Sequence, residues 1–353
     1  MDRGCRGEIV IPEAEAPLFT PFRQKPCALT ATWFSCTLST SERKLICVTS
    51  ANSFLASLIL KQLLARGYLV RATVQNQVEV EEVREQIKEE EMMRGLESVV
   101  VVKMGDLQSL CEAFRGCHAV FHTSSFIDPA GVSGYSDRMA FLETEGAKNV
   151  IEACGRAAYV KRCIFTSSLL ASIWLGDGAQ GPVDESCWSN EEFCRENKLW
   201  LALGKTTAEK VAWRKSKELK VNLVAVCPGL LMDPTFPNAH METSVPYLKG
   251  GSIMWQQGIL ATIDAQKVAE AHIHVYEAMD NGAGGRYLCF ERVIRRLDEV
   301  IDLEDKLKMH GSLSRGRNEE SQEDDNDETR FTLTNSKLTE LMSRAAQRPS
   351  CKQ

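Results

Sequence analysis

The turn after the first apolar strand has the spacing of a phosphate-binding loop but not its usual residues. In "LICVTSANSFLASLILKQLLARG", residues 45–67, a strand is followed by a turn and an amphipathic helix. Such a turn places backbone N–H groups and the positive end of the helix against a pyrophosphate. Ser50, Ser53 and Ala56 occupy the three glycine positions of a T-G-x-x-G-x-x-G loop. The spacing therefore predicts a dinucleotide-binding turn, and the residue types predict weak binding.

Two of these residues carry a physical cost if the turn has its usual shape. A non-glycine residue with positive φ is disfavoured by roughly 1–2 kcal/mol, which would strain Ser50. The Ser53 side chain stands where the backbone should approach phosphate, whereas Ala56 only has to allow close helix packing. A second interpretation is that Ser50 or Ser53 simply caps the following helix. The turn alone leaves both interpretations open.

The elements that must position this turn alternate along the chain. From Arg43 onward, short β-branched runs are separated by amphipathic stretches, a pattern that requires right-handed crossovers and a parallel sheet. The predicted strands are KLICVT, YLVRATV, VVVVKM, HAVFHTS, RCIFTSS, NLVAVCP and a late GRYLCF. Helices are predicted near residues 54–66, 79–94, 107–115, 138–157 and 204–219. The predicted fold class is α/β, a doubly wound parallel sheet of the Rossmann type, with ligands at the carboxyl ends of the strands.

The pattern divides the chain into four parts. Residues 1–42 have the character of neither a signal peptide nor a transit peptide and predict a poorly ordered extension. Residues 43–310 predict the Rossmann domain, with a small substrate lobe mainly in 229–310, where the pattern becomes irregular. Residues 311–330 predict an acidic disordered linker, and residues 331–353 a closing helix and tail.

Charge and hydropathy argue against two classes of partner. The formal charge of -6 on 353 residues is explained by seven acids between Glu319 and Glu328, so the rest of the chain is nearly neutral. No run of five or more Lys or Arg occurs, and we therefore expect no nucleic-acid partner. The longest apolar stretch, NLVAVCPGLLM, is about half of the roughly 20 residues that a spanning helix needs, and we expect no membrane span.

The cysteines and histidines do not form a metal-site pattern. Thirteen cysteines are scattered without a C-x-x-C pair, and most lie in apolar segments. His272 and His274 are two residues apart, which on a helix directs them to different faces. We predict no metal and a reduced, intracellular, cytoplasmic protein.

Several stretches, in the correct order and spacing, resemble the plant cinnamoyl-CoA reductase and dihydroflavonol reductase branch of the extended short-chain dehydrogenase/reductases. They run from about Lys44 to Phe290 and comprise RGYLVRATV, GDL, VFHTSS, IFTSS, VDESCWS, EFC, KLWLALGKTTAEKVAW and GRYLC. The piece KLWLALGK is similar to that family's K-N-W-Y-C-Y-G-K, which favours the cinnamoyl-CoA reductase side.

The resemblance implies a Ser-Tyr-Lys set that reduces a carbonyl with hydride from NADPH. The implied serine is Ser168 and the implied lysine is Lys205, but Leu201 stands at the tyrosine position. A leucine cannot donate a proton, and general acid catalysis typically contributes about 10² to 10⁴ in rate. Tyr135 is a candidate substitute donor, with an exposed loop aromatic as the alternative. Without the resemblance, Ser168 is only a strand-end hydroxyl and Lys205 only a helix-surface charge.

The resemblance also implies a cofactor site with one altered specificity position. The family's VRATVRD carries an arginine for the 2′-phosphate of NADP, but this chain reads VRATVQN and places Gln75 there. The cofactor is therefore expected to be NADP(H) or NAD(H), weakly bound. Asp106 has a second interpretation as a helix N-cap, which is compatible with the first. The implied cofactor residues are Thr49, Ser50, Ser53, Phe54, Leu55, Gln75, Asp106, Leu107, Thr123, Ser124, Lys205, Pro228 and Leu230.

Two functions follow from these observations. The first is an oxidoreductase that reduces an aromatic thioester, aldehyde or ketone, of phenylpropanoid type, by a non-standard proton route. The second is a protein of the same fold that is catalytically inactive and binds a nucleotide, a phenylpropanoid or a protein partner. The changes at Ser50, Ser53, Gln75 and Leu201 favour the second, and the family resemblance favours the first.

Overall fold

The computed structural model describes residues 44–87, 89–123, 135–176, 181–233, 246–308, 311, 313–314 and 331–347. These residues belong to the compact unit Glu42–Gln353. The extension expected at residues 1–42 lies outside the described residues.

A seven-stranded parallel sheet forms the centre of the molecule, in the order β10-β7-β5-β4-β1-β2-β3. This order reverses direction at β1, as expected of a doubly wound sheet, and the predicted fold class is confirmed. All seven predicted strands are present. They are β1 Leu45–Val48, β2 Leu69–Val74, β3 Leu96–Val101, β4 Ala119–His122, β5 Arg162–Thr166, β7 Asn222–Pro228 and β10 Gly285–Cys289.

Helices cover both faces of this sheet. The helices that precede β7 in the chain are α1 Phe54–Ala65, α2 Gln77–Gln86, α3 Glu90–Gly95, α4 Leu107–Phe114, α5 Asp137–Arg156, α6 Leu170–Ile173, α7 Glu191–Glu196 and α8 Trp200–Leu219. The later helices are α9 Gly251–Gln256, α10 Ala265–Ala278, α11 Leu297–Leu307 and α12 Ser336–Ala346. Where one helix was predicted near 79–94, the chain forms α2 and α3 with a break between them.

Alternation along the strands assigns residues to the two buried layers. Ile46 and Val48 of β1 pack with the apolar face of α1, whereas Cys47 between them packs with α4 and α5 on the opposite face. Successive side chains of a strand point to opposite faces, so a strand buried on both sides needs apolar residues at every position. The apolar runs that predicted the strands have this origin.

The segment predicted to contain the substrate lobe, residues 229–310, divides between two sheets. β8 Leu230–Met232, β9 Ala261–Asp264 and β11 Arg292–Val293 form a separate small sheet, accompanied by α9 and α11. Residues 265–289, however, return to the Rossmann core, because α10 packs beside α1 and β10 is the edge strand of the main sheet. Helix α10 was not predicted because the sequence after β7 is irregular. Residues 229–310 therefore contribute both to the main sheet and to the small sheet.

The C-terminal segment is part of the packed unit. β12 Thr332–Leu333 pairs in parallel with β6 Pro182–Val183, and Leu338 of α12 is buried against the core. The packed chain also extends past residue 310, where we expected the linker to begin. Leu313 is buried, and its N–H and that of Ser314 donate to the carboxylate of Glu304. Residues 315–330 of the expected linker lie outside the described residues.

Two kinds of feature are absent from the described ranges. No helix there is long and apolar enough to cross a membrane. The same residues contain no group of three or more His, Cys, Asp or Glu that could hold a metal ion. The nine cysteines found in the described ranges are all free thiols.

Candidate active site

The turn between β1 and α1 keeps the shape that glycine normally provides. Ser50 has a φ of 49°, in the left-handed region, although it is not glycine. Its carbonyl oxygen accepts a hydrogen bond from the Ser53 N–H at 2.9 Å, which closes the turn. This positive φ is the conformation for which the sequence predicted strain at Ser50, and the associated cost is roughly 1–2 kcal/mol.

The N-terminus of α1 fits a pyrophosphate. Ser53 is the N-cap residue, with φ of -68°, but its side chain makes no capping hydrogen bond, so the interpretation of Ser53 as a side-chain cap is wrong. Phe54 and Leu55 form the first turn of this helix, and both pack inward. Helix α1 has 12 residues, and its N-terminus at the carboxyl end of β1 is suited to binding an anion. The residues present therefore fit a dinucleotide, although the Ser53 side chain narrows the approach.

The ends of β1 and β4 are joined by reciprocal hydrogen bonds. The Thr123 N–H donates to Thr49 Oγ1 at 3.1 Å, and the Thr123 hydroxyl donates to the Thr49 carbonyl at 2.6 Å. Thr49 Oγ1 also lies 3.0 Å from Nδ1 of His122. All three side chains are buried, and their hydrogen bonds join the ends of β1 and β4. Ser124, which was predicted to bind the cofactor beside Thr123, lies outside the described residues.

The ends of β2 and β3 carry the residues predicted for the adenosine side. Gln75 is exposed directly after β2, and its N–H donates to Oε2 of Glu79 at 2.7 Å. Asp106 is the N-cap of α4 and accepts from the N–H groups of Gln108 at 3.0 Å and Ser109 at 3.4 Å. The capping interpretation of Asp106 is therefore confirmed, while its binding role and that of Leu107 stay predictions.

The two serines after β5 have different surroundings. Ser167 donates its hydroxyl to Oε2 of Glu209 at 2.6 Å in the core. Ser168 is buried, and its Oγ accepts from the Leu170 N–H at 3.2 Å. Because Ser167 is engaged by a buried carboxylate, Ser168 is the better candidate for a substrate contact. This agrees with the residue that the family pattern selected.

Lys205 forms a buried ion pair that the sequence did not predict. Its Nζ lies 2.5 Å from Oε1 of Glu143 on α5, and the two side chains are 13% and 3% exposed. The other carboxylate oxygen of Glu143 accepts a short hydrogen bond from the hydroxyl of Tyr135. We call Tyr135, Glu143 and Lys205 the site cluster. Tyr135 is therefore not an exposed loop aromatic, and that alternative is wrong.

A glycine on α8 makes room for this cluster. A Cβ atom on Gly204 would lie 2.9 Å from the Tyr135 hydroxyl oxygen and 2.9 Å from Cα of Ala140. Any side chain there would displace Tyr135 or separate α5 from α8. The glycine next to Lys205 is thus required by close packing, and it permits the contact between Tyr135 and Glu143.

Leu201 lies in the first turn of α8, one turn before Lys205. It is partly buried and packs against the apolar cluster that includes Trp174, Leu199 and Leu203. Its surroundings are apolar, so no hydroxyl or proton donor is supplied at this position. The ordinary tyrosine route is absent here.

The segment at the end of β7 contains Pro228 and Leu230, the last two residues predicted to bind the cofactor. Leu230 is buried, and Gly229 between it and Pro228 donates its N–H to the Cys289 carbonyl at 2.9 Å. A Cβ on Gly229 would lie 2.7 Å from the carbonyl oxygen of Ala261. The main sheet and the small sheet therefore meet closely at this point, which holds Pro228 and Leu230 in place.

Burial and charge shift two pKa values near Lys205. Burial, and secondarily the positive charge of Lys205, lowers the pKa of His122 to about 4, so the imidazole is neutral. Burial and the negative charge of Glu143 raise the pKa of Tyr135 well above its usual range. Tyr135 therefore stays protonated throughout the physiological range and holds a proton beside the ion pair.

Comparison with known proteins places these features in a family. Residues 47–210 match the 3-beta hydroxysteroid dehydrogenase/isomerase family. Cinnamoyl-CoA reductase 1 of Petunia hybrida is 38% identical over 263 residues, which cover 73% of this chain and 75% of the relative. The chain belongs to the extended short-chain dehydrogenase/reductases. Dihydroflavonol 4-reductase of Callistephus chinensis is 32% identical over 272 residues, covering 72% of this chain and 71% of the relative.

A solved member of the same fold class supports the architecture. The structure of yeast methylglyoxal/isovaleraldehyde reductase Gre2, complexed with NADPH, has a TM-score of 0.63 and 20% sequence identity, covering 85% of this chain and 93% of that one. At this identity the likeness concerns the fold. Within the extended short-chain dehydrogenase/reductases, this chain is therefore related in sequence to cinnamoyl-CoA reductases, and the family predicted from its motifs is confirmed.

Two polar residues of this short-chain dehydrogenase/reductase were missed by sequence analysis. Glu143 lies within the α5 sequence FLETEGAKNV, where it is one of several acids and has no pattern that separates it from a solvated helix face. Glu79 lies three residues after Asn76, and the N-cap-to-acid spacing was available as a signal for a capping box. Only the packing of α5 on α8 shows that Glu143 contacts Lys205.

Proposed function

We propose that this protein binds NAD(P)(H) and reduces the carbonyl group of a phenylpropanoid-type substrate, with the site cluster replacing the missing tyrosine. The observation that carries the proposal is the link from Lys205 through Glu143 to the Tyr135 hydroxyl. The reduced nicotinamide, when bound, supplies the hydride that is added to the carbonyl carbon. The carbonyl oxygen then needs a proton, and Leu201 cannot give one.

Each residue of the chain has a separate task in this proposal. Ser168 donates a hydrogen bond to the carbonyl oxygen and so stabilises the negative charge that develops there. Tyr135 gives its hydroxyl proton to that oxygen, and Lys205 offsets the charge left on Tyr135. Glu143 positions both groups. The raised pKa of Tyr135 keeps its hydroxyl protonated before the reaction, but it also opposes loss of that proton, so the transfer depends on the positive charge of Lys205.

The substrate class comes from the relatives. Cinnamoyl-CoA reductase and dihydroflavonol reductase are the names of proteins that are 32% to 38% identical to this chain. We therefore propose an aromatic thioester, aldehyde or ketone as substrate, with cinnamoyl-CoA-type thioesters as the first to be tested.

The test removes one hydroxyl oxygen. The variant Tyr135→Phe should lower kcat/KM for carbonyl reduction by about 100-fold or more, as expected for loss of a general acid, without weakening dinucleotide binding. Tyr159→Phe is the matched control, because Tyr159 is 70% exposed and lies outside the site. Turnover in Tyr135→Phe equal to that of the wild type would show that the proton comes from elsewhere.

A second candidate is a protein that binds the dinucleotide or an aromatic ligand without turnover. The observation that favours it is the ion pair itself, because Glu143 offsets the charge by which Lys205 would depress the pKa of a catalytic tyrosine. A wild-type protein that binds NADPH or NADH by calorimetry but reduces no aromatic thioester, aldehyde or ketone would support this candidate.

Repair of the site separates the two candidates further. We expect Leu201→Tyr alone to give little gain, because hydride transfer also requires the nicotinamide to be held close to the carbonyl. Adding Ser50→Gly, Ser53→Gly and Gln75→Arg should give much more with NADPH, and the gains should be strongly non-additive. A large gain from Leu201→Tyr alone would show that only the proton donor was missing.

A further inference from the structure

The Glu79 carboxylate is folded back onto the end of β2. Its Oε2 accepts from the Gln75 N–H at 2.7 Å, and its Oε1 accepts from Nδ2 of Asn76 at 2.7 Å. Asn76 Oδ1 accepts in turn from the Glu79 N–H at 3.1 Å. Two hydrogen bonds therefore hold the Glu79 carboxylate against Gln75 and Asn76, the two residues that follow Val74 at the end of the strand.

This position borders the phosphate-binding turn. Ala51 in that turn donates its N–H to the Thr73 carbonyl at 2.8 Å, and Val102 donates to the Val74 carbonyl at 2.8 Å. The end of β2 thus lies between the turn after β1 and the end of β3. In a doubly wound fold the adenosine ribose of a dinucleotide binds here, and an acid accepts its 2′-hydroxyl.

The surrounding charges are unsuited to a 2′-phosphate. Among the described residues, the hydrogen-bond and ion-pair partners of Glu79 include no lysine or arginine. Arg71, the arginine of β2, is held by both oxygens of Glu97 at 2.8 and 2.9 Å and by backbone carbonyls. A phosphate placed beside Glu79 would face a fixed negative charge without a charge-assisted partner.

We infer that Glu79 selects NAD(H) over NADP(H) by accepting the ribose hydroxyls and repelling a 2′-phosphate. Both carboxylate oxygens are held from the side of the strand end, and each retains acceptor capacity for a hydroxyl donor. The inference rests on the dinucleotide site of the proposed function. In this inference the acid that accepts the ribose hydroxyl groups is Glu79 of α2, because Gln75 and Asn76 at the end of β2 are neutral.

The test is calorimetric titration of the full chain with NADH and NADPH. The wild type should bind NADH about tenfold or more tightly than NADPH. Glu79→Gln keeps an acceptor but removes the charge, and should bring the two affinities within about threefold of each other. Glu82→Gln removes the same charge from an exposed position on the same helix and should leave the wild-type ratio unchanged.

The outcomes separate this inference from the proposed function. Tighter binding of NADPH than NADH by the wild type would overturn the inference alone, and so would an unchanged affinity ratio in folded Glu79→Gln. Absence of binding for both dinucleotides would overturn the inference together with the proposed function. If Glu79 acts only as a helix cap, Glu79→Gln will lower the melting temperature without changing the ratio. Glu79→Arg supplies a second variant, in which the preference should reverse toward NADPH.

Discussion

Two buried ion pairs lie one turn apart on α8, and they have different surroundings. Glu209 pairs with Arg286 of β10 at 2.7 Å, and their side chains are 0% and 6% exposed. Lys205 pairs with Glu143 at 2.5 Å, but the lysine side chain retains 13% exposure at the carboxyl end of the sheet. We call the Glu209–Arg286 pair the core pair. The same helix therefore carries one charge into the core and one to the candidate site.

The core pair is surrounded by fixed polar partners. Glu209 also accepts from the Ser167 hydroxyl at 2.6 Å and from the indole N–H of Trp213 at 3.0 Å. The Arg286 guanidinium donates to Ser172 Oγ at 2.7 Å, and its Cζ lies 3.9 Å from the centroid of the Trp188 ring. A buried ion pair whose polar partners are satisfied fixes how the surrounding helices and strands pack against each other. These contacts indicate a structural role for the core pair, whereas we propose a chemical role for the site cluster.

The largest effect should come from breaking the core pair. Arg286→Leu leaves the Glu209 carboxylate buried without a cation, and we expect the free energy of unfolding to fall by about 3–5 kcal/mol. Urea denaturation of the purified protein measures this change. The control is Arg292→Leu, because Arg292 is 59% exposed in its pair with Glu299 and should contribute less than about 1 kcal/mol. A loss below 1 kcal/mol for Arg286→Leu would contradict the structural role.

Two buried histidines extend the comparison to pH. Burial lowers the pKa of both His122, at the site, and His272, in the core, to about 4. Because these folded-state values lie below the unfolded value of about 6.5, each imidazole binds fewer protons when folded. Its contribution to stability is complete above pH 6.5 and is lost as the pH falls toward 4. The loss should reach about 3 kcal/mol per histidine, measured by denaturation across this range.

The same histidines distinguish the two regions. Lys205 contributes to lowering the pKa of His122, whereas the causes of the His272 shift are burial and, in opposition, the hydrogen bond that the imidazole makes to the Val268 carbonyl. In Lys205→Met the pKa of His122 should therefore rise while that of His272 stays constant. NMR titration of the two imidazoles tests this expectation. Equal movement of both values would indicate a global change of structure instead of a local charge effect.

Sequence reasoning predicted the sheet well because its signals are local. The apolar runs of β1, β4 and β7 and the 3.6-residue pattern of α1 are visible in short windows. Helix α10 was missed because it follows the irregular stretch after β7, and only its packing beside α1 shows its place. Ser168, Lys205 and Leu201 were found through family spacing. Glu143 was not, because its importance depends on contacts between α5 and α8 that no local pattern encodes.

Removing both charges of the site pair should cost little stability. The double variant Lys205→Met with Glu143→Gln leaves no uncompensated charge, so the free energy of unfolding should change by about 1 kcal/mol or less. If the protein is an active reductase, the same variant should lose turnover by about 100-fold or more. Thermal denaturation and kcat/KM are measured on the same preparation. A large stability loss with turnover retained would assign the site cluster to the structural class of the core pair.

The smallest effect concerns the turn that opens the cofactor site. Ser50 has φ of 49° and Ser53 has φ of -68°, so only the first adopts a conformation that glycine favours. Ser50→Gly should relieve roughly 1–2 kcal/mol of strain but lose about 0.5–1 kcal/mol through the greater entropy of the unfolded chain. The net result is a stabilisation of between about 0 and about 1.5 kcal/mol, measurable by urea denaturation.

Ser53→Gly is the matched comparison for that turn, because it adds the same unfolded-state entropy without relieving any strain. It should destabilise the protein by about 0.5–1 kcal/mol while opening the approach of phosphate to the α1 N-terminus. The two glycine variants should therefore move stability in opposite directions. If both destabilise the protein equally, Ser50 is not strained in solution, and the loss of glycine at that position has no energetic cost for the fold. Opposite signs would instead show that the turn keeps a cofactor-binding shape at the expense of stability.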